Sequence, residues 1–338
     1  MKKIVNVFII FLAFGFVFLI ITRLVTPKYM TKYVEGNMTS EYYSQHNNDA
    51  VIFLGDCEVY ANFSPMVIYE ETGITSYIRG NSQQLIWQSY YLLKETLKYQ
   101  DIKVLVFNVN AMRYSEPVKE EYNRLMIDKM RFSKEKLDMI KASKMENESI
   151  LSYFLPILRY HSRITNLTSE DFKYFFKEKI HTHNGFLINK KIKPVTTLPT
   201  PKKLSSYQFK ENVYDYLDKI YQLCQENNIE LVLIKAPSLY PYWYPEYEEN
   251  ILNYIQDKNI KYYNFLNHID DIGLDYQVDT YDGGLHLNLS GATKLSKYFA
   301  KILKEDFKLN DYRMNNEINR IYQQKIERYY NEINNENN

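Results

Sequence analysis

The N-terminal residues constrain this chain more than any other part of its sequence. After three residues that include two lysines, the 19 residues Ile4 to Thr22 carry no charged side chain. A helix of that length extends about 28 Å, close to the hydrocarbon thickness of a bilayer. The apolar run is longer than the core of a typical secretory signal, and no small-x-small cleavage site follows it. We therefore predict an uncleaved transmembrane helix within residues 1–28.

The charges that flank this helix are nearly balanced. Lys2 and Lys3 precede the apolar run, and Arg23, Lys28 and Lys32 follow it. The positive-inside rule therefore gives only a small preference for either orientation. We favour a cytoplasmic N-terminus, with the body outside the cytoplasm of a bacterial cell and held by a single pass through its membrane.

The composition is that of an ordinary globular protein and excludes several functions. The chain has 338 residues, of which 45% are hydrophobic and 25% charged, with a net charge of +1. This balance gives no support to nucleic-acid binding through bulk positive charge. Ten glycines and ten prolines favour long helices over a turn-rich β-sandwich. Two cysteines are too few for a disulfide framework or a four-thiolate zinc site, and we predict neither a metal nor a cofactor.

Short apolar runs recur in the body, separated by helical segments. They predict strands at residues 50–54, 74–78, 103–109, 231–234 and 260–265. Ser64-Pro65 is typical of a helix start, with serine as the N-cap and proline in the first turn. The alternation predicts an α/β fold, a doubly wound and mainly parallel sheet with helices on both faces.

The strand–helix alternation defines four regions. We predict the anchor at 1–28, a polar stalk at 29–49, the main domain at 50–306 and a polar C-terminal helix at 307–338 that docks on the body or on a partner. Inside the main domain the alternation stops at about 116–206. We interpret that stretch as a helical insertion or cap over the sheet edge, although extra helices without such a role fit the pattern equally well.

Polar residues follow three of the predicted strands, at the carboxyl ends where α/β sheets carry their chemistry. These are Gly55-Asp56-Cys57, Arg79-Gly80-Asn81 and Asn108-Val109-Asn110. Cys57 is placed as a nucleophile would be. A backbone N–H at the glycine of the second segment and the asparagines of the third are suitable oxyanion donors.

A base for this nucleophile is expected near the last amphipathic helix. His286 lies just before Ser290-Gly291-Ala292, with which that helix begins. Asp282, four residues earlier and separated by two glycines, can fold back and hold the imidazole in one tautomer. Asp279 is a second candidate for this acid.

The order of these segments resembles the four sequence blocks of the SGNH (GDSL-type) hydrolase superfamily, from about Ala50 to Phe299 without the insertion. With its anchor, the chain is similar to the membrane-tethered branch that includes D-alanyl-lipoteichoic acid biosynthesis and alginate O-acetylation proteins. The resemblance implies a three-layer α/β/α fold. It also implies a membrane-bound O-acyltransferase as partner and an envelope polysaccharide or teichoic acid as acceptor. The roles that it implies are Cys57 as nucleophile, Gly80 N–H with Asn110 or Asn108 as oxyanion donors, His286 as base and Asp282 as its orienting acid.

Several positions differ from the family pattern. Cys57 replaces the usual serine, Asn62 stands where the first block has a glycine, and Asp282 lies four rather than three residues before the histidine. The asparagine of the third block also lacks its usual glycine and aspartate neighbours. A thiol nucleophile would give a thioester, which suits acyl transfer at least as well as hydrolysis. Because Asp56 and Glu58 disfavour a thiolate between them, a non-catalytic scaffold that binds polymer or positions an acyltransferase is the alternative.

Further side chains are candidates for substrate binding, and each also has a purely structural explanation. A solvated helix end or aromatic packing would account for those outside the strand ends. The candidates are Asp56, Arg79, Asn81, Arg159, His161 and Trp243. We expect Cys224 to be a buried core thiol, with a disulfide to Cys57 as the alternative. His181 and His183 lack nearby partner ligands in sequence, so we predict no metal site there.

Overall fold

Five parallel strands form the centre of the computed structural model, which describes residues 2–27, 35–45, 48–176 and 178–335. The strands are β1 (Val51–Gly55), β2 (Ser76–Gly80), β3 (Val104–Asn108), β4 (Glu230–Lys235) and β5 (Lys261–Asn264). Their order across the sheet is β2-β1-β3-β4-β5, and every neighbouring pair is parallel. The doubly wound α/β prediction is confirmed.

Helices cover both faces of this sheet. Within the described residues they are α1 (Lys2–Val25), α2 (Glu35–Gln45), α3 (Cys57–Asn62), α4 (Pro65–Thr72), α5 (Ile86–Thr96), α6 (Glu120–Ile127), α7 (Lys134–Ser143), α8 (Ile150–Phe154), α9 (Ile157–Tyr160), α10 (Ser169–Phe176), α11 (Glu211–Glu226), α12 (Pro245–Ile255), α13 (Ile269–Ile272), α14 (Leu289–Asp306) and α15 (Asn316–Asn334). As the sequence predicts, Ser64 caps α4 and Pro65 occupies its first turn.

The alternation of side chains along β1 separates two hydrophobic cores. Val51 and Phe53 belong to the core shared with α3, α4 and α14, whereas Ile52 and Leu54 belong to the core shared with α5, α11 and α12. Every residue of β1 is buried, which explains why the strand is a continuous apolar run. The fold is therefore a three-layer α/β/α arrangement.

Strand β2 begins two residues later than its apolar run indicates. Ser76 pairs in register with Val51, and Gly80 pairs with Gly55. The strand includes Arg79, whose buried charge is paired with Glu95 at 2.6 Å. Hydrophobicity alone cannot mark such a boundary, because the paired polar side chain is buried like its apolar neighbours.

Helix α1 is long and apolar enough to cross a membrane. Residues Lys3–Val25 have a mean hydropathy of 3.0, and the most apolar part of this helix is not buried against the rest of the chain.

The described part of the predicted stalk is not a stalk. Residues 35–45 form α2, which packs against α6 and β2, with Met38 and Tyr42 buried. The expectation of an exposed linker there is wrong. Most residues of α2 are polar, so its sequence does not indicate that Met38 and Tyr42 are buried. Residues 28–34 of the predicted anchor and stalk lie outside the described residues.

The C-terminal helix α15 docks on the body rather than extending from it. The Tyr322 ring stacks on Tyr69 of α4 at 4.1 Å between centroids. The Tyr322 hydroxyl donates to Asp49 Oδ1 at 2.5 Å and accepts from the Ser76 amide N–H at 3.1 Å. Helix α15 is thus hydrogen-bonded to Asp49, which precedes β1, and to Ser76, with which β2 begins.

Candidate functional site

Cys57 is the first residue of α3 and follows directly on the carboxyl end of β1. Gly55 has a φ of 149°, and a Cβ there would lie 2.9 Å from the Cβ of Asn108, so a side chain would be strained and crowded. The Cys57 thiol is partly buried and reduced. Cys224 is also a reduced thiol, buried on α11, where burial raises its pKa to about 12. Cys57 packs against the core on one face of the sheet and Cys224 lies in the core on the other face, so the alternative of a Cys57–Cys224 disulfide is wrong.

Asp56 connects the ends of β1 and β3. Its carboxylate accepts from the amide nitrogens of Asn108 at 3.1 Å and of Asn110 at 2.6 Å. It also caps α3 by accepting from the Glu58 N–H at 3.2 Å. Because Asp56 is fully buried and accepts these three hydrogen bonds, its position is structural and not that of a substrate ligand.

Glu58 forms a buried ion pair with Lys235 at the end of β4. The ammonium lies 3.1 Å from both carboxylate oxygens and also donates to the Ala236 carbonyl at 2.7 Å. Both side chains are fully buried. Burial raises the pKa of Glu58, while the positive charge of Lys235 opposes that rise. Sequence reasoning missed Lys235, although a lysine that ends an apolar strand was a usable signal.

The two asparagines after β3 differ in what they can still donate. Asn108 donates to Asp56 and, at 2.8 Å, to Glu58, which engages both hydrogens of its amide. Asn108 is therefore a structural residue, and its assignment as an oxyanion donor is wrong for this geometry. Within the described residues the Asn110 amide donates to Asp56 alone, which leaves it a second amide hydrogen. Its Oδ1 is buried and has no hydrogen-bond partner within the described residues.

Gly80 lies at the carboxyl end of β2, beside the start of α3. A Cβ there would approach a methyl group of Val59 to 2.3 Å and the Asp56 carbonyl oxygen to 3.2 Å, so even a methyl group would crowd this position. The glycine therefore brings the backbone of β2 close to the turn that carries Cys57.

His286 and Asp282 form the pair that their spacing predicts. His286 Nδ1 lies 2.7 Å from Asp282 Oδ2, and the His286 backbone N–H donates to Asp282 Oδ1 at 2.8 Å. Gly283 and Gly284 have φ values of 83° and 101°, which let the loop fold back. The ring of Tyr281 stacks on the imidazole at 5.5 Å between centroids. The imidazole is held on one nitrogen and along one face.

The two nitrogens of this imidazole have different surroundings. Among the described residues, His286 Nε2 is buried and has no hydrogen-bond partner. With the Nδ1 proton donated to Asp282, Nε2 carries a lone pair and can accept a proton.

The alternative acid, Asp279, pairs with a different side chain. Burial opposes its charge, but Lys294 at 2.7 Å holds the pKa of Asp279 below its usual value.

Asn62 ties the histidine loop to the helix that begins with Cys57. Its Oδ1 accepts from the Leu287 N–H at 2.8 Å, and its Nδ2 donates to Ser238 Oγ at 3.3 Å. The sequence marked this position only as a missing glycine. The structure gives it a specific role, because the amide of Asn62 fixes the loop that carries His286 to the carboxyl end of α3.

The other residues predicted to bind substrate at the strand ends face inward. Arg79 donates to the Leu92 carbonyl at 3.1 Å and to Thr96 Oγ1 at 2.7 Å, and its guanidinium lies 3.8 Å from the centroid of the Tyr42 ring. Asn81 is almost fully buried and accepts from the Ser82 N–H. The prediction that Arg79 contacts substrate is therefore wrong.

The three remaining candidates are divided between two locations. Arg159 of α9 pairs with Glu120 at 2.6 Å, and His161 is exposed on the 3-10 helix that follows, so both lie in the insertion near α1. Trp243 is half-buried, donates to Glu248 at 2.8 Å and places its ring centroid 5.7 Å from Lys235 Nζ. Trp243 therefore lies beside Lys235, the partner of Glu58 in the buried ion pair.

No group of three or more histidine, cysteine or carboxylate side chains that could hold a metal ion occurs in the described part of the chain. His183 pairs instead with Glu332 of α15 at 3.0 Å, and burial lowers its pKa.

Fold and site together define an α/β/α protein with a cysteine and a His–Asp pair in the connections that follow its strands. No model of a known protein family matches the sequence, and no curated protein matches it. Among solved structures, a GDSL-like lipase of Bacteroides thetaiotaomicron is similar to this chain, with 10% sequence identity and a TM-score of 0.36. That match covers 81% of this chain and 100% of the lipase. The sheet order and the helix layers described above define the fold class.

Proposed function

We propose that this protein is an SGNH-type enzyme that transfers or hydrolyses acyl esters through Cys57. The observation that carries the proposal is the state of His286, whose Nδ1 is held by Asp282 while its buried Nε2 has no hydrogen-bond partner among the described residues. A general base needs this arrangement, with one nitrogen oriented and the other open to a proton.

In the proposed mechanism the Cys57 thiol attacks the acyl carbonyl and its proton passes to His286 Nε2. The Gly80 N–H and the second amide hydrogen of Asn110 stabilise the oxyanion. Collapse of the tetrahedral intermediate forms a thioester and expels the leaving group, which takes the proton from His286. A hydroxyl group or water then attacks the thioester. His286 accepts its proton and returns it to the cysteine sulfur, which regenerates the thiol.

The location and acceptor belong to the same proposal. We infer that α1 anchors the protein in the cell membrane with its body outside the cytoplasm. The acceptor is then a hydroxyl-bearing polysaccharide or teichoic acid of the cell envelope, and a membrane-bound O-acyltransferase is the expected partner. These inferences are supported by the apolar length of α1 and by the sequence resemblance to envelope acylation proteins.

The test is intact-mass analysis of the full-length protein in detergent after incubation with p-nitrophenyl acetate. We expect one hydroxylamine-labile acetyl adduct, which Cys57→Ala abolishes and His286→Ala slows at least about a hundredfold, the low end for loss of a general base. Cys57→Ser is expected to change the adduct from a thioester to an ester. Cys224→Ser is the matched control and is expected to label like the wild type.

Two results would contradict the enzymatic proposal. The first is labelling whose rate does not depend on His286, since the cysteine would then react only as an ordinary thiol. The second is the absence of any adduct with a series of activated acyl esters. Either result would favour the non-catalytic scaffold, whose Cys57 lies between the carboxylates of Asp56 and Glu58.

A further inference from the structure

The end of α1 is held by the helical insertion. Arg163, on the 3-10 helix after α9, donates to the Val25 carbonyl at 2.6 Å, which satisfies one of the last carbonyl groups of α1. Arg23 lies 5.0 Å from the centroid of the Phe175 ring of α10 and 3.8 Å from Glu178. Helices α9 and α10 and the 3-10 helix between them all contact α1. These contacts fix where the insertion lies along the axis of α1.

Charge along α1 indicates the depth at which that contact occurs. Lys2 and Lys3 lie at one end of the uncharged run and Arg23 at the other. Because the run matches the hydrocarbon thickness, a bilayer around α1 would place Arg23 and Val25 at the headgroup level. Any element that contacts these two residues then lies at the same level.

The insertion exposes apolar side chains on the elements that contact α1 and on the neighbouring α8. Residue 151 lies on α8, residue 155 follows its end and residue 158 lies on α9, while residues 172 and 176 lie one turn apart on α10. These side chains are between 40% and 84% exposed: Leu151, Leu155, Leu158, Ile164, Phe172 and Phe176. We call these six residues the apolar face of the insertion. Other exposed apolar side chains, such as Leu252 and Met314, lie on different elements of the body.

We propose that this apolar face lies in the lipid headgroup region, so that helices α8 to α10 form an interfacial membrane contact beside the transmembrane helix. The proposal rests on the anchoring by α1 put forward above. The occupant is lipid, because α9, α10 and the 3-10 helix between them, which carry four of these side chains, contact α1 where it would leave the bilayer. Partly buried helices with leucine and phenylalanine on one side are suited to the boundary between headgroups and acyl chains.

This contact would fix the orientation of the body. A single transmembrane helix alone lets an attached domain rotate and tilt, whereas a second contact through α8 to α10 holds one side of the body against the membrane. The insertion would then be a membrane-docking element rather than a lid over Cys57.

The experiment is photo-crosslinking of the full-length protein in vesicles of phosphatidylethanolamine and phosphatidylglycerol. The photoreactive residue p-benzoylphenylalanine replaces Leu158 or Phe176 in the apolar face, Phe11 in α1, or Met314 as a matched exposed control. Irradiation followed by intact-mass analysis measures the yield of lipid adducts. We expect yields at Leu158 and Phe176 that are at least about tenfold above the yield at Met314 and comparable to the yield at Phe11.

The other outcomes separate the two proposals. Lipid adducts at Phe11 together with control-level yields at Leu158 and Phe176 would overturn the interfacial contact and leave the anchor intact. Control-level yields at Phe11 as well would overturn the anchor and the contact together. Since the vesicles contain this protein alone, a protein–protein adduct at Leu158 in place of a lipid adduct would assign the apolar face to a second copy and overturn the lipid assignment.

Discussion

Removal of one charge from the buried Glu58–Lys235 pair tests how the site next to Cys57 is stabilised. The substitution Lys235→Met keeps most of the side-chain volume, but of the side-chain partners of Glu58 among the described residues it leaves only Asn108. It also removes the donor to the Ala236 carbonyl. We expect a large loss of stability, because a buried carboxylate without its counter-charge is strongly unfavourable.

The size of this loss follows from the geometry. Two unit charges 3.1 Å apart, the distance of this pair, attract each other by about 5 kcal/mol at an effective dielectric constant of 20. Desolvation of both groups offsets part of that attraction, so we expect Lys235→Met to lower the free energy of unfolding by about 3–5 kcal/mol. The double variant Glu58→Gln/Lys235→Met keeps an acceptor for Asn108 and has no charge at either position. We expect it to recover most of the loss.

The loss should also depend on pH in a defined direction. Burial raises the pKa of Glu58 above that of the unfolded chain, and Lys235→Met removes the charge that opposes this rise. The folded variant therefore binds more protons than the unfolded variant between the unfolded and folded pKa values. Its stability is greatest below the unfolded pKa and is lost as the pH rises through the folded pKa.

The measurement is urea denaturation of the full-length protein in detergent, followed by the fluorescence of its two tryptophans, Trp87 and Trp243, of which Trp243 lies beside Lys235. Arg159→Met is a matched control that breaks a more exposed ion pair, and we expect it to cost less than about 1 kcal/mol. The reasoning would be refuted if Lys235→Met cost no more than this control, or if the double variant were less stable than Lys235→Met.

Two further predictions concern the loop that carries the histidine and the docked C-terminal helix. Asn62→Ala removes the acceptor of the buried Leu287 N–H and should cost about 1–3 kcal/mol, with faster hydrogen exchange at the Leu287 amide; unchanged exchange would contradict the role given to Asn62. Burial lowers the pKa of Lys325 from 10.5 to about 8, so the native state releases this proton first and wild-type stability gains from this group as the pH rises from about 8 towards 10.5. Lys325→Met should remove that gain. Urea unfolding of both proteins at about pH 7.5 and about pH 9.5 measures it, and an equal gain in the two proteins would contradict the prediction.

The sequence predicts the sheet well because its central strands are buried on both faces. Apolar runs such as Val51–Gly55 therefore mark them directly. The contact between Asp282 and His286 was also predictable, since four residues and two glycines are enough to determine it. Local patterns of this kind depend little on the rest of the fold.

Contacts between distant elements could not be predicted in the same way. Lys235 and Glu58 are 177 residues apart, and their pairing depends on how β4 lies relative to α3. The side-chain amide of Asn108 was predicted as a possible oxyanion donor, but in the fold it donates to Asp56 and Glu58 instead. The polar sequence of α2 likewise gave no sign that Tyr42 is fully buried.

The bond between Tyr322 and Asp49 joins residues that are 273 positions apart, which has a consequence for biosynthesis. The residues that begin β1 are made near the start of translation, whereas their partner on α15 is made near the end. Contacts of such long range form late, because the chain between them must be ordered first. While the chain is being synthesised, the beginnings of β1 and β2 therefore lack their final partner. Nascent chains in that state are the ones that would most need chaperone protection.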